Sequence, residues 1–178
     1  MRCINWLATS LRPRTRGENS LASAGRKLDD GDIVARFIYS KSQFSKENLR
    51  AKPSAFDPSP HASLSVAHSN GLSNDEVWEL AKYTLGLQSG RETVYARADL
   101  PVTVFSGQGL DAIRDDRPFN RHTSVIGWPV SEDLNEQKQR RKLLCLELSQ
   151  ARGVRLELPT QPVRRSLASK QSTGESNR

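Results

Sequence analysis

Asp32-Ile33-Val34-Ala35-Arg36-Phe37-Ile38-Tyr39 is the stretch from which the fold is read. It is short, apolar and rich in β-branched and aromatic residues (Ile33, Val34, Phe37, Ile38), the character of a buried strand. Beyond it, residues 40–60 are polar and carry Pro53, Pro58 and Pro60, so a long loop with at most a short turn of helix is expected. Ala62, Leu64 and Val66 then alternate with Ser63 and Ser65, as in a strand with one buried face. Ser73 reads as a helix N-cap, with Asp75 and Glu76 in the first turn. Val77, Leu80, Ala81 and Leu85 follow at helical spacing, and Gly86 is expected to close the helix.

Further along, residues 91–99 read as a strand interrupted by Pro101, and residues 102–109 as a short helix or a turn. Residues 110–113 read as a short strand, and His122 to Trp128 as a clearer one stopped by Pro129. Ser131 is the expected cap of a second helix, with Leu134, Leu144, Cys145 and Leu148 as its apolar stripe and Gly153 at its end. Val154, Leu156 and Leu158 alternate with Arg155 and Glu157 in a last strand. This order predicts one α+β domain over residues 31–158, a mostly antiparallel sheet with two main helices packed on one face. Trp78 and Trp128 are expected to pack rather than bind.

The ends differ from this middle. Residues 1–30 are expected to form a basic, poorly ordered extension and residues 159–178 a disordered tail, because both are polar and have little to bury. The chain of 178 residues has a net charge of +7, but the charge is uneven: +5 over residues 1–27, −1 over 28–158 and +3 over 159–178. The balanced middle argues against a cationic nucleic-acid-binding face on the domain, while the ends would add weak, salt-sensitive contact with polyanions. Cys3 and Cys145 have no partner motif, which suits a reducing, cytoplasmic setting without a disulfide framework or a zinc site. No apolar run approaches the length of a membrane span, and no cofactor or metal motif is present. The first residues are Arg-rich and acid-poor, as in an organellar targeting segment or a mis-assigned start.

Two segments stand out chemically: His61-Ala62-Ser63-Leu64 and His122-Thr123-Ser124-Val125, both of the form H-x-S-x. In a strand, i and i+2 share a face, so each would present an imidazole beside a hydroxyl. This resembles the two-histidine phosphoesterases, which act on cyclic phosphates and RNA ends. The resemblance implies that His61 and His122 are the catalytic acid–base pair and that Ser63 and Ser124 contact phosphate. Arg50, Lys52, Ser65, Arg97 and Arg121 join them as candidate ligand-binding residues, since guanidinium forks suit phosphate or carboxylate. An ion pair between Arg97 and Asp99 is the plainer expectation for one of these.

A wider resemblance covers residues 33–150. Arg50-Ala51-Lys52, Ala55-Phe56, Leu64-Ser65-Val66, Gly71-Leu72-Ser73, Arg97-Ala98-Asp99-Leu100, Arg121-His122 and Ile126-Gly127-Trp128-Pro129 resemble a family of small uncharacterised bacterial proteins. It implies a real domain and no particular activity. The leading expectation is a small accessory protein with a polar pocket for an anionic, phosphate-like ligand or a protein partner. A metal-independent phosphoesterase and a structural interaction module are the alternatives.

Overall fold

The strand Ile33–Ile38 has apolar residues on both faces, and the architecture follows from covering both. A computed structural model describes residues 25–88 and 90–165. Its strands are β1 (Arg26–Lys27), β2 (Ile33–Ile38), β3 (Phe44–Ser45), β4 (Arg50–Ala51), β5 (Leu64–His68), β6 (Thr93–Val94), β7 (Ala96–Pro101), β8 (Asp111–Arg114), β9 (His122–Ile126), β10 (Arg155–Glu157) and β11 (Val163–Arg164). Its helices are α1 (Asn74–Leu87), α2 (Thr103–Ser106) and α3 (Leu134–Gln150). Seven strands form one sheet in the order β1-β8-β9-β5-β2-β7-β10, with every neighbouring pair antiparallel. The class is the α+β one expected.

The two long helices, α1 and α3, do not share a face. Val34, Ile38, Leu64, Val66, Leu100 and Val125 bury against Phe56 and against Cys145 and Leu148 of α3. Ala35, Phe37 and Ala67 point the other way and bury against Val77, Ala81 and Leu85 of α1, with Phe119. The expectation of both helices on one face is therefore corrected. An apolar run such as β2 needs cover on both sides, whereas a one-sided sheet would alternate.

Helix ends also differ in instructive ways. Ser73 caps α1 as expected: its hydroxyl accepts from the Glu76 N–H at 3.4 Å, and Glu76 Oε2 accepts from the Ser73 N–H at 2.7 Å. Gly86 does not end the helix, which runs through it to Leu87. The cap of α3 is Asp133, whose Oδ1 accepts from the Asn135 and Glu136 N–H groups at 2.8 and 3.3 Å. The expected cap, Ser131, instead donates its hydroxyl to Glu136 at 2.8 Å. Leu134, expected in the core stripe, is 75% exposed.

The segment expected as loop, residues 40–60, is partly ordered by local pairing. It holds two 3-10 turns, Lys41–Gln43 and Pro53–Phe56, and β3 pairs with β4. Ala55 and Phe56 are buried, which ties the second turn to the sheet. The ordered fold also passes the expected boundaries. β1 lies inside the expected N-terminal extension, and β11, inside the expected tail, pairs with β6. The rest of both ends, and Cys3, lie outside the described residues. Among the described residues no helix is long and apolar enough to cross a membrane.

Arg36 joins these parts. Strand β2 pairs with β5 through Val34–His68 and Ala35–Ala67. One residue further, the Arg36 guanidinium takes over: Nε donates to the Ala55 carbonyl at 2.9 Å and Nη1 to the Ser65 carbonyl at 2.8 Å. Burial lowers its pKa to about 10, so it remains charged at neutral pH. A charged donor bridging two carbonyls is worth more than neutral pairs, and its loss strands both acceptors. Replacement Arg36→Met is expected to destabilise the protein by about 1–3 kcal/mol in urea unfolding; unchanged stability would show that the bridge is incidental.

Candidate functional site

The register between β5 and β9 places four side chains on one face. Ser65 lies opposite Ser124, and Ala67 opposite His122. Because alternate residues share a face, Ser65, Ser124 and His122 all point to the α1 side of the sheet, with Ser65 and His122 as diagonal neighbours. A diagonal spacing is within reach of a long side chain, and His122 Nε2 lies 2.8 Å from Ser65 Oγ.

The third member comes from the β8–β9 hairpin. Immediately after β8, the Asp115 and Asp116 N–H groups both donate to the His122 carbonyl, at 3.1 and 3.2 Å. This turns the Asp115 carboxylate onto the imidazole, where Oδ1 lies 2.5 Å from His122 Nδ1. Oδ2 accepts the Ser124 hydroxyl at 2.8 Å. An ionised carboxylate only accepts, so Nδ1 carries the proton and Nε2 is left to accept from the Ser65 hydroxyl. Phe119 closes the remaining side of the ring, edge-on at 5.0 Å between centroids. His122 is buried and Asp115 half-buried, while Ser65 is exposed.

The hairpin that delivers Asp115 is strained and braced. Asp116 and Arg121 adopt left-handed backbone, with φ of 51° and 72°. Each such non-glycine residue costs on the order of 1 kcal/mol. The Asp116 carboxylate braces both ends of the loop, accepting from Arg114 Nε at 2.8 Å and from the Arg121 N–H at 2.7 Å. Partial burial pushes the Asp116 carboxyl up, but the Arg114 side chain and the Arg121 N–H outweigh it and hold it below its usual value.

The other expected site residues lie elsewhere. His61 is exposed in a turn before β5, and Ala62 after it is left-handed at φ 54°, so the first H-x-S-x is not a strand. His61 precedes Ala67, the partner of His122, by six residues, of which Leu64 to Ala67 alone spans about 10 Å of strand. His61 is thus not on the strand that pairs beside His122. Ser63 Oγ meets Ser59 Oγ at 3.1 Å. Arg50 and Lys52 sit on the loop that packs against the opposite face. Arg97 takes the plainer role: its Nε donates to Asp99 at 3.1 Å, its Nη1 to the Asn74 carbonyl at 3.3 Å, and its guanidinium lies over Trp78. Burial pushes the Asp99 carboxyl up, with Arg97 pulling it the other way. Arg121 donates to the carbonyls of Asn70 and His68, at 2.9 and 3.4 Å.

Asp115 does not stand out in the sequence. Its signal is weak: an acid seven residues before His122, across a segment with Pro118 and Asn120 that reads as a turn. No family model, curated protein or solved structure matches the chain. Among the described residues no group of three or more His, Cys, Asp or Glu side chains is arranged to hold a metal ion.

Two outcomes test this geometry. Nitrogen-15 spectra of neutral His122 should show the Nδ1–H tautomer, and Asp115→Asn should lose that preference; an Nε2–H tautomer in the unaltered protein would contradict the arrangement. The lowered Asp116 pKa implies stability that is present above about pH 4, the ordinary carboxylate range, and lost as pH falls through the lower folded-state value. Asp116→Asn should therefore flatten the stability curve between about pH 5 and pH 2; an unchanged curve would remove Asp116 as a brace.

Proposed function

We propose that the chain is a hydrolase of carboxylic esters in which Ser65 is the nucleophile, His122 the general base and Asp115 the group that orients His122. The observation that carries this reading is the continuous contact from Ser65 Oγ through His122 Nε2 and Nδ1 to Asp115, at 2.8 and 2.5 Å. A serine hydroxyl is a weak nucleophile alone, and a neighbouring imidazole held in the right tautomer removes its proton as it attacks. In the proposed reaction Ser65 Oγ bonds to the ester carbonyl carbon and His122 Nε2 takes the hydroxyl proton. The tetrahedral centre collapses, the carbon–oxygen bond to the alcohol breaks, and His122 returns the proton to the leaving oxygen. Water, deprotonated by the same nitrogen, then releases the acid and regenerates Ser65. Asp115 stays ionised and stabilises the imidazolium, and Ser124 fixes its second oxygen.

The exposed position of Ser65 gives substrate access from solvent. Ile113 and Ile126 are half-buried on the same face beside Ser124 and offer an apolar rest for the acyl group. An anionic ligand at this cluster has less support. The Asp115 carboxylate would repel it, and Arg36, Arg97 and Arg121 direct their donors to carbonyls or to Asp99. A phosphoesterase built on His61 and His122 has less support for the reason of register. A cytoplasmic setting is in keeping with Cys145, a buried free thiol pushed up to about 12 by burial and by Asp57.

A fluorophosphonate probe should label Ser65, identified by peptide mass, and Ser65→Ala should abolish both labelling and p-nitrophenyl acetate hydrolysis. Asp115→Asn should lower the rate by roughly 10⁴-fold, as expected when an imidazole loses its orienting carboxylate. Turnover that survives Ser65→Ala, or an unlabelled Ser65, would overturn the reading.

A further inference from the structure

On the other side of the sheet, α3 and the turn Pro53–Phe56 flank an open cleft of about 790 Å³. That volume falls within the range of small-molecule sites. Pro53, Pro58 and Leu134 give it apolar walls, and Lys52, Lys138, Arg141 and Lys142 line the same space. Asp57 is the one acid among the lining residues, and its Oδ1 faces the Cys145 thiol at 3.5 Å.

The charges are arranged unevenly around α3. Residues at i, i+3 and i+4 share a helix face, so Lys138, Arg141 and Lys142 present three like charges to the cleft, which is unfavourable without a counter-charge. Arg140, one position away, is neutralised by Glu136 at 2.6 Å. Among the described residues, Lys52, Lys138, Arg141 and Lys142 have no carboxylate within ion-pairing distance. Arg141 is held in place instead by the Pro129 carbonyl, to which its Nε donates at 3.0 Å. Leu134, at the first turn of α3, is largely exposed beside these cations.

We infer that this cleft binds a small anionic amphiphile, a ligand with one carboxylate, sulfonate or phosphate group and an apolar body. The cationic helix face meets the anion and the Pro53–Pro58–Leu134 surface meets the body. Lys52 was an expected ligand residue on sequence grounds, and here it acquires neighbours that share the role. The site is independent of Ser65, because it lies on the opposite face of the sheet.

The probe is 1-anilinonaphthalene-8-sulfonate, titrated by fluorescence against the folded full-length chain, with the uncharged N-phenyl-1-naphthylamine as control. One saturable site is expected. Lys138→Glu/Lys142→Glu and, separately, Leu134→Asp should each weaken the sulfonate at least ten-fold, and the neutral analogue should bind at least ten-fold more weakly. These positions are exposed, and an unchanged circular dichroism spectrum would confirm folding. Ser65→Ala should leave the affinity unchanged. Equal affinity in Lys138→Glu/Lys142→Glu, or equal binding of the neutral analogue, would overturn the inference. So would displacement of the sulfonate by octaglutamate at lower concentration than by decanoate, which would assign the cleft to an acidic protein segment.

Discussion

The pairing of β5 against β9 is the constraint on which the rest of this structure depends. With Ser65 opposite Ser124 and Ala67 opposite His122, one face carries the polar cluster and the other carries Leu64, Val66, Thr123 and Val125 into the core. A slip of one residue would exchange the two faces, burying hydroxyls and exposing leucine and valine. The core on the α3 side therefore fixes the position of the cluster without touching it. Arg36 adds a second restraint from the β2 side, because its grip on the Ser65 carbonyl holds the backbone of the residue whose hydroxyl meets His122. The hairpin brace at Asp116 supplies the third, by delivering Asp115 to the imidazole at the expense of two left-handed residues.

How much of this was readable in advance depended on the range of the interaction. Strands β2, β5, β8 and β9 follow local apolar patterns, and the Ser73 cap of α1 follows from side-chain chemistry within one turn. The inward and outward faces of Leu64, Ser65 and Val66 follow from the period of two alone. Placement of α3 did not, since its apolar residues do not say which face of the sheet they will meet. Leu134 belongs to the same helical pattern as Cys145 and Leu148 but overhangs a cleft rather than the core. The first H-x-S-x segment is not a strand for a local reason: a left-handed Ala62 ends the extended backbone, so His61 lies outside β5. The contacts that His122 does make are non-local. Asp115 reaches His122 only because a hairpin returns the chain, and Ser65 reaches it only across two paired strands.

The sheet divides two kinds of chemistry. In the cluster on the α1 side, each group has a partner: Ser124 with Asp115, Asp115 with His122, His122 with Ser65. Such a network holds its members in one geometry and leaves a single exposed end, the Ser65 hydroxyl. On the α3 side, cations lie together without matching acids, over an apolar wall. The first arrangement suits bond rearrangement, where orientation matters most, and the second suits capture, where net charge and contact area matter most. The near-neutral charge of residues 28–158 conceals this local excess.

The measurement that bears most directly on the account is the pre-steady-state burst with an activated ester. A covalent acyl intermediate on Ser65 requires rapid release of about one equivalent of p-nitrophenol per chain before slow turnover, with the burst absent in Ser65→Ala. Linear release from the first moment, at a rate that Ser65→Ala and His122→Ala share with the unaltered protein, would mean that the cluster is only a structural hydrogen-bond network.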